Sequence, residues 1–336
     1  MLELESLAMI FAGLMALAIL VYAILDGYDL GVGILLPAGN DEQSSQQRDT
    51  MIASIGPFWD ANETWLVLAI GLLLIAFPQA YNLVLEALYL PATIMLLGLI
   101  MRGVAFDFRA KVALDHKMIW DRLFRAGSLI TALSQGYMLG LYVMGLQTTP
   151  ASIGFALLSA CGVAAAYSYI GAGWLVMKTE GELQKRAALW ARRSGWVCFI
   201  GVIGVCLVNP LVNPGVFDRW FSFPFGLLLL QIPVVSLALF VINDRVLVRI
   251  PFEQDFGCWI PFVASASIFF VCFQGLAYSF YPYIIPGQLT MIEAASAAES
   301  LRFMLVGALI VVPIILVYTV FSYRVFWGKA TQLKYY

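Results

Sequence analysis

Residues 126–177 read AGSLITALSQGYMLGLYVMGLQTTPASIGFALLSACGVAAAYSYIGAGWLVM and contain no charged residue. A helix needs about 20 apolar residues to cross the hydrocarbon core of a bilayer, so this stretch is long enough for two crossings. The polar turn at 147–150, which ends in a proline, predicts the break between them. Because polar and apolar residues do not alternate, the stretch indicates two membrane-spanning helices rather than strands of a barrel.

The remainder of the chain has the same apolar character. Of its 336 residues, 62% are hydrophobic and only 12% are charged, whereas a soluble domain has about 25% charged residues. Backbone groups in lipid must be hydrogen-bonded within their own segment, which favours helices. We therefore predict a single all-α polytopic membrane domain over residues 1–336 with nine spans. The predicted spans cover residues 6–28, 60–76, 80–101, 127–146, 152–176, 195–213, 222–243, 258–280 and 303–325.

The lysine and arginine residues predict the orientation of these spans. With the N-terminus outside, 17 of the 19 basic residues fall in inside loops or in the C-terminal tail, and the exceptions are Arg219 and Arg302. Basic residues favour the cytoplasmic side, so we expect a periplasmic N-terminus and a cytoplasmic C-terminus. The first residues lack the basic region of a signal peptide, so we expect the first span to be retained.

Composition also limits the chemistry that the chain can perform alone. Its single histidine, His116, lies in a predicted inside loop. Haem and copper sites most often use histidine ligands, so we expect no haem or metal held by this chain by itself. The chain has no phosphate-binding loop and no dinucleotide motif. Its five cysteines form no CxxC pair and are predicted to pack as small apolar residues. The net charge of −2 predicts no nucleic-acid partner.

A pair of carboxylates lies at the end of the first predicted span, in the sequence DGYDLGVG of residues 26–33. Asp26 and Asp29 are three residues apart, so they share one helix face. Ionisable residues inside a membrane indicate function by default, and this pair suits proton uptake. The alternative interpretation is an acidic helix end at the membrane interface.

The sequence PFWDANETW of residues 57–65 places two more carboxylates at the start of the second predicted span. Pro57 favours a helix start nearby. Asp60 and Glu63 then lie in the first turn, where the helix dipole stabilises anions. The functional alternative is a protonatable carboxylate between Trp59 and Trp65 that lines a path or contacts a quinone.

A third polar segment, RGVAFDFRAK at residues 102–111, follows the third predicted span. Asp107 and Lys111 are spaced as an i, i+4 ion pair, and Arg102 is placed to neutralise a buried carboxylate. This segment indicates either the mouth of a proton path on the inside face or a surface ion pair. The roles of Glu86, in the outer part of the third span, and of His116 stay open.

Taken together, these segments resemble subunit II of the cytochrome bd-type quinol oxidases. The resemblance runs along most of the chain, and its most specific parts are residues 26–33, 57–65 and 102–111, with 179–183 and 312–319 in support. The chain lacks a long outside loop between the sixth and seventh spans. In this it is similar to the shorter, cyanide-insensitive type, which leaves the haem content of the complex open.

The resemblance implies a complex of the bacterial inner membrane that oxidises quinol and reduces dioxygen to water, without pumping protons but building a voltage. It implies that haems b and b/d, with the quinol-oxidation site, are carried by subunit I, so that no catalytic residue lies in this chain. It also implies a fold of two four-helix bundles plus one peripheral helix, paired with subunit I as a heterodimer in the lipid bilayer. A small single-helix subunit and a structural quinone in this chain are left open.

The resemblance also implies roles for individual residues. A proton path from the cytoplasm is expected to use Lys111 and Asp107 at its mouth and a buried Asp60, which hands protons to subunit I. The residues that the resemblance associates with a polar core beside this path are Asp26, Asp29, Trp59 and Arg102.

Two other functions compete with the oxidase interpretation. A secondary transporter is expected to have broken helices and inverted repeats, and several prolines in the predicted spans could break helices, although no repeated pair of broken segments is visible. The third possibility is a structural subunit whose acidic groups only hold its partner.

Overall fold

The computed structural model of the chain describes residues 3–111, 116–212, 214–223, 225–251 and 255–330. Within these ranges the chain is helical apart from turns, short connections and one antiparallel hairpin. The helices are α1 (Leu4–Ile34), α2 (Glu42–Ile55), α3 (Trp59–Ala76), α4 (Pro78–Arg109), α5 (Lys117–Val143), α6 (Pro150–Lys178), α7 (Gly181–Val212), α8 (Pro214–Phe221), α9 (Phe225–Val248), α10 (Ile260–Phe280), α11 (Met291–Ala294) and α12 (Ala298–Val325). The hairpin strands are β1 (Tyr283–Ile285) and β2 (Leu289–Thr290).

Each predicted span overlaps one long helix, in the order α1, α3, α4, α5, α6, α7, α9, α10 and α12. In the described part of the chain, 7 helices are long and apolar enough to cross a membrane, and α5 and α9 are not among them. The first third of α5 carries several charged side chains, which shortens its apolar part. The all-helical membrane character is therefore confirmed, while the count of nine spans stays a prediction.

The predicted breaks between neighbouring spans coincide with helix boundaries. Pro78 is the first residue of α4, directly after Phe77 closes α3. Pro150 likewise begins α6, where the Thr149 side chain accepts a hydrogen bond from the Ser152 backbone amide at 3.2 Å. Proline is tolerated at a helix start because its missing amide hydrogen has no partner there anyway.

Other prolines lie within helices that the structure leaves continuous. These internal prolines are Pro91 in α4, Pro210 in α7, Pro233 in α9 and Pro313 in α12. Packed transmembrane helices tolerate proline because neighbouring groups satisfy the freed carbonyl oxygens. The broken helices expected for a transporter are not found among the described residues at these positions.

The centre of the structure is the close contact between α1 and α6. A Cβ atom added to Gly31 would lie 1.8 Å from the Tyr167 carbonyl oxygen, and one added to Gly171 would lie 2.9 Å from the Gly31 Cα atom. Only glycine permits backbones to approach this closely. Residues 26–33 of α1 are consequently all buried, which places Asp26 and Asp29 deep inside the helical assembly.

The remaining helices surround this contact on two sides. Helix α1 also packs against α3 and α5, and α4 packs against α5. On the other side, α6 contacts α7 and α10, and α9 lies between α7 and α10. Helix α12 contacts α1 and α3 but leaves most of its side chains exposed. These contacts describe the neighbours of each helix, and the arrangement as two four-helix bundles plus one helix stays a prediction.

Helix α2 lies within a segment that the sequence predicted as an inside loop. Its start is capped by Asp41, whose carboxylate accepts hydrogen bonds from the Ser44 amide at 3.0 Å and the Ser44 hydroxyl at 2.7 Å. These bonds hold the pKa of Asp41 below its usual value. The helix was missed because its first two turns are almost entirely polar, as in a surface loop, although an Asp directly before a helix is a helix-start signal.

The segment after α12 is anchored to the loop between α6 and α7. Lys178 Nζ donates hydrogen bonds to the carbonyl oxygens of Phe326 at 2.9 Å and Gly328 at 3.0 Å. Lys329 Nζ donates to the Thr179 carbonyl oxygen at 3.0 Å and pairs with Asp255 at 3.1 Å. The segment after α12 is thereby fixed against the end of α6.

Candidate functional site

A buried ion pair joins the first and fourth helices. Arg102 on α4 donates from Nη1 to Asp26 Oδ1 on α1 at 2.7 Å, and both side chains are 0% exposed. The sequence predicted that Arg102 could neutralise a buried carboxylate. In the structure that carboxylate is Asp26. Removing charges from water costs several kcal/mol each, so such a pair persists only with close and complementary geometry.

Asn62 binds the second carboxylate of α1. Its side-chain amide on α3 donates to Asp29 Oδ2 at 2.7 Å and lies 3.2 Å from the Tyr28 hydroxyl. The Asn62 carbonyl oxygen accepts from the Tyr323 hydroxyl of α12 at 3.2 Å, and the two tyrosine hydroxyls are 2.6 Å apart. Helices α1, α3 and α12 therefore share one hydrogen-bonded cluster around Asp29.

Two further residues of α3 reach the Arg102 guanidinium. Glu63 Oε1 lies 3.5 Å from Arg102 Nη2, and the Glu63 side chain is 27% exposed. The ring of Trp59 lies 5.8 Å from the Arg102 guanidinium carbon, within the range of a cation–π contact. We call the five residues Asp26, Asp29, Asn62, Glu63 and Arg102 the buried polar core.

A chain of hydrogen bonds leads from α1 to the fifth and sixth helices. Gln135 on α5 donates from its amide nitrogen to the Tyr22 hydroxyl at 2.6 Å. The Gln135 carbonyl oxygen accepts from the Tyr167 hydroxyl of α6 at 2.7 Å. Tyr22 lies one turn before Asp26, so polar groups extend beside the buried polar core across α1, α5 and α6.

The three residues expected to form a proton path all lie at the surface of this chain. Asp60, Asp107 and Lys111 are all exposed, and we call these three the α3–α4 surface. The rings of Trp59 and Phe106, which precede Asp60 and Asp107 in the chain, are 5.1 Å apart. The start of α3 and the end of α4 are therefore adjacent.

Two details of the expected path are corrected by the structure. Asp60 was expected to be buried, but the buried face of α3 carries Asn62, and two residues correspond to roughly 200° around a helix. Asp60 therefore points away from the helical assembly of this chain. The expected ion pair between Asp107 and Lys111 is not formed among the described residues, because α4 ends at Arg109 and Lys111 follows its last turn.

An ionic cluster that the sequence analysis did not predict fixes the end of α4. Arg109 pairs with Asp121 of α5 and with Asp49 of α2. Arg48 of α2 pairs with the other oxygen of Asp121 at 2.8 Å and donates to the carbonyl oxygen of Pro37. This cluster joins α2, α4 and α5 at the end of α4.

Sequence reasoning named the carboxylates but missed their uncharged partners. Asn62 stood in the 57–65 segment, where a polar residue inside a predicted span was a usable signal. Tyr323 carried no such signal, because its partner Tyr28 lies 295 residues earlier in the chain. Glu86 is exposed on α4 and His116 is exposed just before α5, so the roles of both stay open.

The described residues contain no cluster of metal-ligating side chains. In the ranges that the structure describes, no group of three or more histidine, cysteine or acidic side chains is arranged to hold a metal ion. The single histidine, His116, is exposed at the start of α5 and faces no helical core.

Comparison with known proteins gives consistent matches along the whole chain. A family model described as "Cytochrome bd terminal oxidase subunit II" matches residues 7–326. The "Cytochrome bd-I ubiquinol oxidase subunit 2" of Escherichia coli K12 is 28% identical over 377 residues, covering 99% of this chain and 97% of that protein. The "Cytochrome bd ubiquinol oxidase subunit 2" of Bacillus subtilis is 27% identical over 340 residues, covering 95% of each.

A solved structure shares the fold. The chain superimposes on one from "The structure of bd oxidase from Geobacillus thermodenitrificans" with a TM-score of 0.75. The two are 19% identical, and the match covers 96% of this chain and 98% of the other. At this identity the likeness shows the fold alone.

Proposed function

This chain belongs to the cytochrome bd terminal oxidase subunit II family, and we propose that it pairs with a haem-bearing subunit I to oxidise quinol and reduce dioxygen to water. Family membership makes it a subunit of a quinol oxidase in a bacterial membrane. The resemblance found in the sequence is thereby confirmed. The pairing, the division of labour between subunits and the orientation are parts of the proposal.

We assign the haems to the partner because the sequence of this chain contains only one histidine that could serve as a haem ligand. Its one histidine is exposed and lies outside the buried core. Haems bound by the partner would supply the electron transfer and the oxygen chemistry of the complex. The sequence resemblance implies that the quinol-oxidation site also lies in the partner, and a structural quinone or a small extra subunit is left open.

The role proposed for this chain is to supply protons from the cytoplasmic side. One observation carries this proposal: the contact between Trp59 and Phe106 brings exposed Asp60 and exposed Asp107 to the same end of two adjacent helices. A carboxylate exposed at a membrane-spanning helix is costly against lipid, so a site for it beside water or a protein partner is favoured. Subunit I would cover Asp60 in the complex.

The path then begins at Lys111 and Asp107 and ends at Asp60. Protons collected from the cytoplasm would protonate Asp107 and pass to Asp60, which would release them to the oxygen-reducing site of the partner. Quinol would release its protons on the opposite side. Electrons and protons would therefore arrive at oxygen from opposite faces of the membrane, which builds a voltage without pumping.

The basic residues support this direction of transfer. If the N-terminus is periplasmic, the segment 102–111 and the ionic cluster around Arg109 lie on the cytoplasmic side, with most of the lysine and arginine residues. The transporter alternative is disfavoured, since family membership gives the chain an oxidase context and its internal prolines lie in continuous helices.

A gentle purification from the native membrane tests the proposal. We expect a second, haem-bearing polypeptide to co-purify, a reduced-minus-oxidised spectrum typical of b-type or d-type haems, and oxygen uptake driven by quinol. A chain that purifies alone, without haem and without oxygen uptake, would overturn the proposal. A haem-bearing complex in which Asp107→Asn and Asp60→Asn keep full turnover would instead support a purely structural subunit.

A further inference from the structure

The buried polar core contains polar atoms that the protein itself does not satisfy. Asp26 Oδ2, Asp29 Oδ1 and Arg102 Nε have no hydrogen-bond partner among the described residues. Glu63 Oε1 and Arg102 Nη2 also lack a hydrogen bond, although they face each other as an ion pair at 3.5 Å. Asp26, Asp29 and Arg102 are all 0% exposed. Buried polar groups are hydrogen-bonded in about 90% of cases or more, to protein or to ordered water. A buried water makes about 3 hydrogen bonds to such groups, so these atoms define a site suited to water.

The charges of the same residues are not balanced by side chains. Three carboxyl groups, those of Asp26, Asp29 and Glu63, surround the single guanidinium of Arg102. Within the described residues, Arg102 is the only basic side chain that pairs with any of them. An isolated ionised carboxylate in an apolar interior is strongly disfavoured. Three ionised carboxylates and one guanidinium would leave the buried polar core with a net negative charge. That net charge approaches zero when the core also holds protons.

We infer that the buried polar core binds a small group of water molecules that hold and pass protons, and that Glu63 connects this reservoir to Asp60. The inference rests on the proposed function, because it needs protons to arrive at the α3–α4 surface. Its ligand is water carrying an exchangeable proton, recognised by carboxylate oxygens and guanidinium nitrogens.

The position of Glu63 suits this connecting role. It follows Asp60 by three residues on α3, a spacing that places the two side chains about 5–6 Å apart at their Cβ atoms. Its side chain is partly exposed while its Oε1 atom is buried, 3.5 Å from Arg102 Nη2. The charged groups that face it are Arg102 from α4, Asp26 from α1 and Asp60 on its own helix. Glu63 thus joins an exposed carboxylate to buried ones.

The proposed transfer moves only protons. The Asp60 carboxyl group gives its proton to the Glu63 carboxylate, and Asp60 is protonated again from Asp107. Glu63 then gives the proton to water held between Asp26 and Arg102. When oxygen reduction withdraws protons from Asp60, the same steps run backwards, so the core buffers the supply to the partner.

The test uses the assembled complex in detergent and three variants. Glu63→Gln keeps the size of the side chain but cannot carry a proton as a carboxylate, whereas Glu63→Asp keeps the carboxyl group. Glu86→Gln is the matched control, since Glu86 is an exposed glutamate of α4 outside both proposed sites. Proton uptake after an oxygen pulse is followed with a pH-sensitive dye, and oxygen uptake is followed in steady state.

We expect the parent complex to take up protons from solution with a lag after the oxygen pulse, because the core supplies the first protons. Glu63→Gln should lose that lag while its steady-state oxygen uptake matches the parent. Glu63→Asp should restore most of the lag, and Glu86→Gln should match the parent. If Glu63→Gln is unchanged while Asp60→Asn and Asp107→Asn are slow, the inference is wrong and the proposed path stands. If Glu63→Gln is unchanged and neither Asp60→Asn nor Asp107→Asn slows proton uptake, both the inference and the proposed path are wrong.

A measurement on the unmodified complex covers the case in which Glu63→Gln does not assemble. Infrared difference spectra recorded during turnover in H₂O and in D₂O should contain carbonyl-stretch bands of protonated carboxyl groups that shift in D₂O. Glu63→Asp should move one of these bands. Spectra without any such band would show that no buried carboxyl group holds an exchangeable proton, and the inference would be overturned.

Discussion

Arg102 Nη1 lies 2.7 Å from Asp26 Oδ1, and neither side chain is exposed to solvent. This pair joins α4 to α1 in the middle of the assembly. Because Arg102 also contacts Trp59 and approaches Glu63, it links the start of α3 to the same point. Arg102 therefore links the buried polar core to the start of α3, where Asp60 of the α3–α4 surface lies.

Loss of Arg102 should weaken the assembly through the charge that is left behind. Replacing it in Arg102→Leu leaves Asp26 buried without a cation, which costs about 3–5 kcal/mol. We expect a lower thermal unfolding midpoint for the purified complex, measured by scanning fluorimetry or from haem release. The double variant Asp26→Leu with Arg102→Leu should recover much of the loss, because no unpaired charge remains.

The control for this prediction is Arg193→Leu, which removes an exposed arginine of α7. A surface substitution of this kind usually changes stability by no more than about 0.5 kcal/mol. An unfolding midpoint of Arg102→Leu equal to that of Arg193→Leu would contradict the prediction.

The contact of α1 with α6 should not tolerate a single added methyl group. In Gly31→Ala, the new Cβ atom would lie 1.8 Å from the Tyr167 carbonyl oxygen, so the two helices must move apart. Overpacking of this kind costs about 1–3 kcal/mol or more, and it would displace Asp29 from Asn62. We expect a lower yield of assembled complex and a lower unfolding midpoint. Gly13→Ala on the same helix, with nothing within 4 Å of its Cβ position, should behave as the parent.

The sequence predicted the helices well because membrane spans are recognised locally. Uncharged runs, the turn at Pro78 and the turn at Pro150 each depend on neighbouring residues only. The carboxylates of the polar core were also found this way, since a charge inside an apolar run stands out.

The partners of those carboxylates could not be found by the same reasoning. Arg102 meets Asp26 across 76 residues and Tyr323 meets Tyr28 across 295, contacts that depend on which helices are neighbours. The exposure of Asp60 was missed for a related reason: the face of α3 that packs inward is set by Asn62 and Trp65. In a helix with apolar residues on all sides, the sequence does not mark that face.

The anchoring of the segment after α12 should depend on pH through Asp255. Burial disfavours its charged form, but hydrogen bonds from Gln184 and Cys258 and the pairing with Lys329 outweigh this and hold the pKa of Asp255 below its usual value. A carboxylate with a lowered folded-state pKa stabilises the fold above its unfolded pKa of about 3.9 and loses that effect as the pH falls through the folded value. The contact should therefore be intact at neutral pH and weaken only below about pH 4.

Hydrogen exchange of residues 325–330, corrected for the intrinsic pH dependence of exchange, measures this effect. We expect protection to fall in acid for the parent complex. Asp255→Asn should show reduced protection already at neutral pH and little further change. Equal protection of parent and Asp255→Asn at neutral pH would show that Lys329 and Asp255 do not anchor the segment.

The proposed proton path makes a prediction that separates it from a purely structural role. Asp107→Asn and Asp60→Asn remove exposed carboxylates that make no ion pair with a described residue, so neither change should reduce assembly or haem content of the complex. Each should nevertheless slow quinol-driven oxygen uptake, by about tenfold or more if the carboxylate carries the protons. Combining both substitutions should cost little beyond the slower single variant, because the two groups act in series.

The matched control is Asp218→Asn, which removes an exposed aspartate of α8 outside the proposed path. Oxygen uptake at several quinol concentrations distinguishes the cause, since a proton-supply defect lowers the maximal rate and leaves the quinol dependence nearly unchanged. A structural role would give the opposite pattern: intact turnover per haem with less assembled complex. That pattern for Asp107→Asn and Asp60→Asn would reject the path and leave the α3–α4 surface as a contact for the partner.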